Sequence, residues 1–389
     1  MKEKDFIRAI NLCVRCGSCI AQCPTYKATN RETENARGRL KILKSFADRQ
    51  LAPGGKVNEK IFNCIMCGNC TNRCPLGIDI EEVFYHARSL LKSYDKKMGI
   101  YRLATRLAFK NTDLTVKMLK PFQKYINRKM GEKKLIPGNI GFNENQFKKT
   151  GVFKPMEKIG RVAVFSGCSV KHVYPELSQS LTKVLNALKY EVVFPRPENC
   201  CGAPFRSLGM EDVAKEYAEK NYDTFSKLNL DAIISLCPTC VVYLKQHYPK
   251  LIGKKLENVF EVSVFLQDKI KDIKKEIKIR AAYHDPCHQA NVLKATMEPR
   301  ELLKRSGVEL LEPKNQTCCG FGGTFSFFFQ EMSGKILETA TRELKDTGCE
   351  AIVTSCPNCL LQLSKSMTDR PIYHIIEVLE EAICEPDGT

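Results

Sequence analysis

"DAIISLCPTC" (231–240) and "AIVTSCPNC" (351–359) decide the fold. Each is a short run rich in β-branched residues that stops at a C-P-x-C turn, the pattern of a buried strand that ends where a helix begins. Their flanks repeat the pattern. Upstream of the first lie the strand-like "RVAVFSGC" (161–168), the helix-like "PELSQSLTKVLNALKY" (175–190), "EVVFP" (191–195) running into "NCCGAP" (199–204), and a helix from about Asp212. Upstream of the second lie "RAAYHDPC" (280–287), "PRELLKRSG" (299–307), "VELLEP" (308–313), "TCCGFGG" (317–323) and a long helix. Strands alternating with helices argue a parallel α/β sheet in each half.

The two halves are copies. Cys168 to Cys287 is 119 positions, Cys200 to Cys318 is 118, and Cys237 to Cys356 is 119. Three landmarks in register to within one residue indicate internal duplication. In both halves the cysteines follow the carboxyl ends of strands, where open α/β sheets place their ligands. Each half is expected to hold one site, and a pseudo-twofold pairing would bring the two sites face to face.

The N-terminal region is different. "CVRCGSCIAQCP" (13–24) and "CIMCGNCTNRCP" (64–75) are both C-x2-C-x2-C-x3-C-P. This is the bacterial ferredoxin run for a cubane 4Fe–4S cluster, whose fourth cysteine serves the other cluster. Cys13, Cys16, Cys19 and Cys74 are therefore assigned to one cubane, and Cys64, Cys67, Cys70 and Cys23 to the other. Zinc is the competing metal, but its sites usually pair C-x2-C halves. "NARGRLKILKSFADRQL" (35–51) and "DIEEVFYHARSLLKSY" (79–94) read as helices of a small cluster domain.

Adjacent cysteines at 200–201 and 318–319 suit neither one tetrahedral metal nor an ordinary disulfide, because neighbouring side chains diverge and neighbouring Cα atoms are too close. The full sets are Cys168, Cys200, Cys201, Cys237 and Cys240, and Cys287, Cys318, Cys319, Cys356 and Cys359. Five thiolates exceed the needs of one zinc or one cubane. A polynuclear iron–sulfur assembly can use them, with adjacent cysteines on different irons. A zinc site with spare cysteines is the alternative. Gly202, Gly320, Gly322 and Gly323 would let backbone approach inorganic sulfide.

Composition agrees. The chain has 389 residues, 20 cysteines and a formal charge of +17. It shows neither a secretory apolar run at "MKEKDFIRAINLC" nor a membrane-spanning stretch. Clustered cysteines in such a chain predict metal in a reducing, anaerobic cytoplasm. If eighteen thiolates hold four clusters with cores of roughly +2 each, the net charge falls to about +7. That correction removes most of the case for a basic zinc protein that binds nucleic acid, and no nucleic-acid partner is expected.

Residues 92 to 158 keep a local excess of 17 Lys/Arg over 5 Asp/Glu. "YRLATRLAFKNTDLTVKMLKPFQKYINRKM" (101–130) reads as amphipathic helices that pack their apolar face on neighbours. Peripheral membrane association through 96–134 is the competing reading. Residues 131–158 read as a linker. The expected domains are thus 1–95 (helical, two cubanes), 96–158 (basic helical connector), 159–275 (first CCG module) and 276–389 (second CCG module).

Over nearly its whole length, through the two ferredoxin runs and the two "CCG" modules, the chain resembles the iron–sulfur subunits of heterodisulfide reductase, particularly the fused D type. It is also similar to the iron–sulfur subunits of anaerobic glycerol-3-phosphate dehydrogenase, glycolate oxidase and lactate utilisation. The first resemblance implies a noncubane 4Fe–4S cluster on each quintet, with a disulfide of coenzyme M and coenzyme B type cleaved between the two. Dehydrogenase-side relatives often lack a cysteine in one module, and this chain lacks none. "CCGFGGTF" (318–325) nevertheless resembles the lactate-utilisation relatives. The implied partners are a flavoprotein or a membrane cytochrome b-type subunit, on the cytoplasmic side or the inner face of the membrane. No G-x-G-x-x-G fingerprint is present, so any flavin belongs to the partner.

Outside the quintets, His284, His288 and His172 are read either as proton donors or as hydrogen-bonding groups beside a cluster. Asp285 is expected to bond within its own turn. Cys349 and Cys384 are expected as plain thiols. "FSFFF" (325–329) is expected to pack in the core or shield a cluster from water.

Overall fold

The computed structural model describes residues 1–133, 136–137, 140–143 and 150–384. Two sheets carry the C-terminal two-thirds. The first has the order β1-β3-β2-β4-β5, with β1 Gly151–Phe153, β2 Gly160–Val164, β3 Tyr190–Phe194, β4 Ala232–Ser235 and β5 Val259–Glu261. The second has the order β7-β6-β8-β9, with β6 Arg280–His284, β7 Glu309–Leu311, β8 Ala351–Thr354 and β9 Ile372–His374. Apart from β1, which runs antiparallel to β3, all pairings are parallel. The orders β3-β2-β4-β5 and β7-β6-β8-β9 are the same arrangement twice.

Three strands per half are legible from apolar runs. β5 and β9 are not, because "VFE" and "IYH" are too short to show a period. β1 lies in the stretch read as a linker, of which residues 134–135, 138–139 and 144–149 are outside the described residues.

The halves are related by a pseudo-twofold. The first long helix of module 1, Glu176–Ala187, packs on the last of module 2, Ile375–Ile383, and Val262–Leu266 packs on Met297–Arg305 in the reciprocal contact. Val162, Leu181, Ile234, Tyr283, Leu302 and Leu379 belong to one apolar core that runs through both sheets. Burial of this continuous surface, at ~25 cal/mol per Å2, opposes separation of the modules.

The N-terminal region is a set of short helices around Phe6, Leu43, Ile61 and Phe84. Buried arginines hold its seams. Arg39 donates to the Lys60 carbonyl (2.7 Å) and Asn63 Oδ1 (2.8 Å). Arg88 donates to the Cys64 carbonyl (2.6 Å) and, across the seam, to that of Ser207 (3.0 Å). From module 1, Arg206 reaches back to Glu82, bonds His247 Nδ1 at 2.7 Å and stacks on Tyr85.

The connector forms the helices Lys96–Lys110, Thr112–Leu119 and Gln123–Glu132. The expected packing of its apolar face is partial: Met98, Phe109, Val116, Ile126 and Met130 pack on neighbours, whereas Ile100, Leu103, Leu107, Met118 and Phe122 are 59–74% exposed. A residue it does bury is Arg102, which donates to the carbonyls of Leu208 (2.9 Å) and Lys92 (2.7 Å). Among the described residues, no helix is long and apolar enough to cross a membrane.

Arg206→Met removes the buried partner of Glu82 and leaves it only the longer contacts to Lys250 at 3.6 Å and the N-terminal ammonium at 3.9 Å. It should lower unfolding stability by about 3–5 kcal/mol, read from the shift in urea midpoint.

Candidate metal centres

The two ferredoxin-type loops share one backbone path. Arg15 and Met66, the residues before each second cysteine, have φ +58° and +59°, and the following Gly17 and Gly68 have φ +87° and +72°. Such left-handed positions turn successive N–H groups inward, the geometry of an anion-binding nest. One small cavity is lined by Cys13, Cys16, Cys19 and Cys74. The other is lined by Cys23, Cys64, Cys67 and Cys70, with Cys19 between the two. Cys16 is exposed, so the first cavity lies at the protein surface.

The CCG cysteines lie elsewhere. A single cavity of about 600 Å3 is lined by Cys168, Cys200, Cys201, Cys237 and Cys240, and equally by Cys287, Cys318, Cys319, Cys356 and Cys359. Within it the thiols touch in one unbroken order. Cys168 meets Cys200, Cys200 meets Cys201, Cys201 meets Cys240, and Cys240 meets Cys237. Cys237 then meets Cys356 of the other half. From there the order continues through Cys359, Cys319 and Cys318 to Cys287, with 3.3 Å between the sulfurs of Cys319 and Cys359. Read from either end, the series is the same under the repeat. Vicinal cysteines therefore turn to different partners, Cys200 to Cys168 and Cys201 to Cys240.

Two hydrogen bonds clamp the halves at this junction. Ser169 Oγ and Asn358 Oδ1 are 2.6 Å apart, and Thr239 Oγ1 and His288 Nδ1 are 2.8 Å apart. Adding 119 to Ser169 and Thr239 gives His288 and Asn358, so these are one contact made twice. The other nitrogen of His288 donates to the Met66 carbonyl at 3.0 Å. That carbonyl can only accept, so Nε2 carries a proton. Burial pushes the pKa of His288 down, which favours the neutral ring with that N–H engaged and Nδ1 facing the Thr239 hydroxyl. His288 ties three parts of the chain together, which is the hydrogen-bonding role of the two read for it. It also brings Cys67 beside Cys287, whose charge raises the Cys67 pKa after burial.

His172 bonds the Asn143 carbonyl through Nδ1 at 3.0 Å. Asp285, expected to bond within its turn, is held by both Nη atoms of Arg300 at 2.9 and 2.8 Å. His284 is 2% exposed, and its Nε2 has no hydrogen-bond partner. A ring nitrogen of His284 and the sulfurs of Cys319 and Cys359 lie within 4.8 Å of one another. Buried Cys349 contacts the Leu344 carbonyl, away from both quintets.

Sequence reasoning missed the wall of the cavity. Tyr101, Thr105 and Phe109 of the connector line it, as do Tyr85 and Tyr243. Phe325 packs in the core, whereas Phe327 and Phe328 line the cavity, and Phe328 meets the Tyr101 ring at 4.9 Å. The i, i+4 spacing of 101, 105 and 109 was a usable signal, hidden because one face of a helix gives no hint of what it covers.

The donor set fits iron–sulfur chemistry. The described lining contains no lysine or arginine to balance ten thiolates. Contact with Cys200, and then Cys240, draws the Cys201 pKa down to about 6, and contact with Cys318, then Cys359, draws Cys319 down. A soft polynuclear cation is the group that compensates clustered thiolates in an apolar wall.

The comparisons with known proteins agree with this geometry. Residues 162–245 and 281–364 each match a model described as "Cysteine-rich domain" (CCG), and residues 9–78 match a "4Fe-4S dicluster domain". The chain belongs to the CCG iron–sulfur family. Within it, the chain is 29% identical to the "Probable glycolate oxidase iron-sulfur subunit" of Bacillus subtilis, over 95% of this chain and 93% of that protein. It is 30% identical to an uncharacterized iron–sulfur protein of Methanocaldococcus jannaschii, over 91% of this chain and 68% of that protein. It is 26% identical to the D-type subunit of the dihydromethanophenazine:CoB–CoM heterodisulfide reductase of Methanosarcina barkeri, over 96% of this chain and 94% of that protein.

The CCG glycines provide a test. Gly320 has φ +86°, and a Cβ there would lie 2.7 Å from the Ser333 carbonyl oxygen, whereas at Gly202 (φ +100°) the closest atom is 3.4 Å away. Gly320→Ala should cost about 1–3 kcal/mol and lower bound iron more than Gly202→Ala, as measured by iron and sulfide assay.

Proposed function

We propose that this chain is an iron–sulfur electron-transfer subunit of an oxidoreductase, and that its CCG modules reduce a small-molecule disulfide of the CoM-S-S-CoB type. The observation that carries the reading is the single cavity bordered by both quintets, with Cys237 against Cys356 at its centre. Tyr85, Tyr101, Phe109, Phe327 and Phe328 line the same cavity beside the cysteines, an apolar wall that suits an uncharged substrate and that a pure relay does not need. The D-type heterodisulfide reductase protein of M. barkeri aligns with the chain almost end to end.

In this reading Cys13, Cys16, Cys19 and Cys74 hold one cubane, and Cys23, Cys64, Cys67 and Cys70 the other. Each CCG quintet holds a noncubane cluster. When bound, such clusters supply electrons one at a time, and cleaving RSSR′ to RSH and R′SH consumes two electrons and two protons. The residues define an order. Exposed Cys16 marks where a redox partner approaches, Cys67 adjoins Cys287, and Cys356 adjoins Cys237. A flavoprotein or a membrane cytochrome b-type subunit is the partner this order suits, with the exposed apolar residues of the basic connector as a second contact.

Tyrosines orient the reacting sulfur, and the two protons come from solvent. Tyr243 donates to the Tyr85 hydroxyl at 2.8 Å, which leaves the Tyr85 O–H free to hydrogen-bond to a departing thiolate, and burial pushes both pKa values up, so both stay protonated. The lining favours an uncharged body around the disulfide.

The second reading is a relay to a flavoprotein that oxidises lactate, glycolate or glycerol 3-phosphate. It is favoured by the match with a protein named as a glycolate oxidase iron–sulfur subunit.

Anaerobically purified protein should contain about 16 iron and 16 sulfide per chain if four four-iron clusters are bound. Adding heterodisulfide to the chemically reduced protein should oxidise its clusters and leave a new EPR signal from cluster-bound thiol. Silence toward the disulfide, together with reduction by a flavoprotein and its 2-hydroxy acid, would move the assignment to the relay. Tyr85→Phe should slow disulfide reduction about 10²-fold with iron content unchanged, as measured by turnover with a chemical reductant.

A further inference from the structure

The repeat makes each module the control for the other. Position 165 in module 1 corresponds to position 284 in module 2, 119 residues on, and the residues are Phe165 and His284. Both stand at the end of the first strand of the repeat and both are buried, at 0% and 2% exposure. Phe165 is an apolar wall, its ring tilted on Phe225 at 5.6 Å. His284 places a nitrogen within 4.8 Å of the sulfurs of Cys319 and Cys359, whose counterparts in module 1 are Cys201 and Cys240. Its Nε2 has no hydrogen-bond partner, an arrangement that a buried ring nitrogen tolerates poorly. His288 and His172, by contrast, bond to backbone carbonyls.

We propose that His284 acts through a ring nitrogen on the module 2 centre, on the Cys319–Cys359 side, either as an N–H donor to its sulfur or in place of one thiolate, and that it makes this centre easier to reduce than its module 1 twin. The proposal rests on the reading that each quintet holds an iron–sulfur cluster. Its sign does not depend on the mode of contact. An N–H directed at a cluster sulfur stabilises the more negative, reduced state. A neutral nitrogen bound to iron in place of a thiolate raises the potential too, as histidine-ligated clusters show relative to all-cysteine ones. Module 1 offers Phe165 at this position and has neither effect. Since Cys287 of module 2 adjoins Cys67, the centre nearest the N-terminal loops is the one whose reduced state is stabilised. Electrons arriving there are held until a substrate bridges to module 1.

The experiment uses the full chain, purified anaerobically with its clusters, and redox-poised EPR. The wild type should show two noncubane centres with different midpoints, and the more easily reduced one should carry 14N coupling. His284→Phe copies the module 1 residue into module 2. It should abolish that coupling and lower only that midpoint, by about tenfold in the reduction equilibrium, or 59 mV for one electron. Phe165→His should raise the other midpoint, and it decides the matter if His284→Phe loses iron. Unchanged midpoints in both variants with clusters retained would overturn the proposal. Absence of iron and sulfide on the CCG cysteines in the wild type would instead overturn the cluster reading beneath it.

Discussion

The structure depends on how ten thiols can share one apolar cavity. An isolated thiolate in such a wall is prohibitively costly, and ten protonated thiols have no function that requires this order. The series from Cys168 through Cys237 and Cys356 to Cys287 resolves the conflict only if cations bind along it. The rest of the fold serves that arrangement. Strand ends deliver the cysteines, glycines at positive φ keep the backbone tight around them, and the shared core holds the two halves in one register.

Duplication supplies the symmetry, and its departures tell the two sites apart. Ser169 with Asn358 and His288 with Thr239 are the same clamp from opposite sides, yet one member has become a histidine that also reaches Met66. A single substitution thus gives module 2 a tie to the N-terminal loops that module 1 lacks. Asp285, paired with Arg300, stands where module 1 has Ser166, and Tyr283 stands where it has Val164. Module 2 is therefore the more polar half around its cysteines, and the half that His288 ties to the loop of Met66.

Much of this was readable in the residues. Cysteine spacing revealed the repeat and which cysteines the fold gathers around each cavity, because such spacing is a record that packing does not blur. Runs such as "DAIISLC" revealed the central strands for the same reason, since burial on both faces demands unbroken apolar sequence. The edge strands β5 and β9 escaped, being three residues each and ordered by their neighbours rather than by their own propensity. The buried arginines escaped for a different reason. Arg39, Arg88, Arg102 and Arg206 look like ordinary surface charge in a basic chain, and only tertiary structure shows three of them donating to backbone carbonyls at seams. The aromatic run at 325–329 contained both of its expected uses, divided between Phe325 in the core and Phe328 at the cavity.

These arginines also change the meaning of the net charge. A guanidinium that satisfies carbonyls between two domains contributes little field to the solvent, so part of the +17 lies inside, beyond what thiolates would neutralise. What remains outside is concentrated on the connector, where Leu103, Leu107 and Met118 stay exposed beside basic residues. The helix Lys96–Lys110 turns Tyr101, Thr105 and Phe109 toward the cavity. One helix thus has one face on the cavity that both cysteine quintets line and another left open to solvent. Tyr101 meets the Phe328 ring, centroids 4.9 Å apart, so this helix and the aromatic run after the second CCG turn form one continuous wall of the cavity.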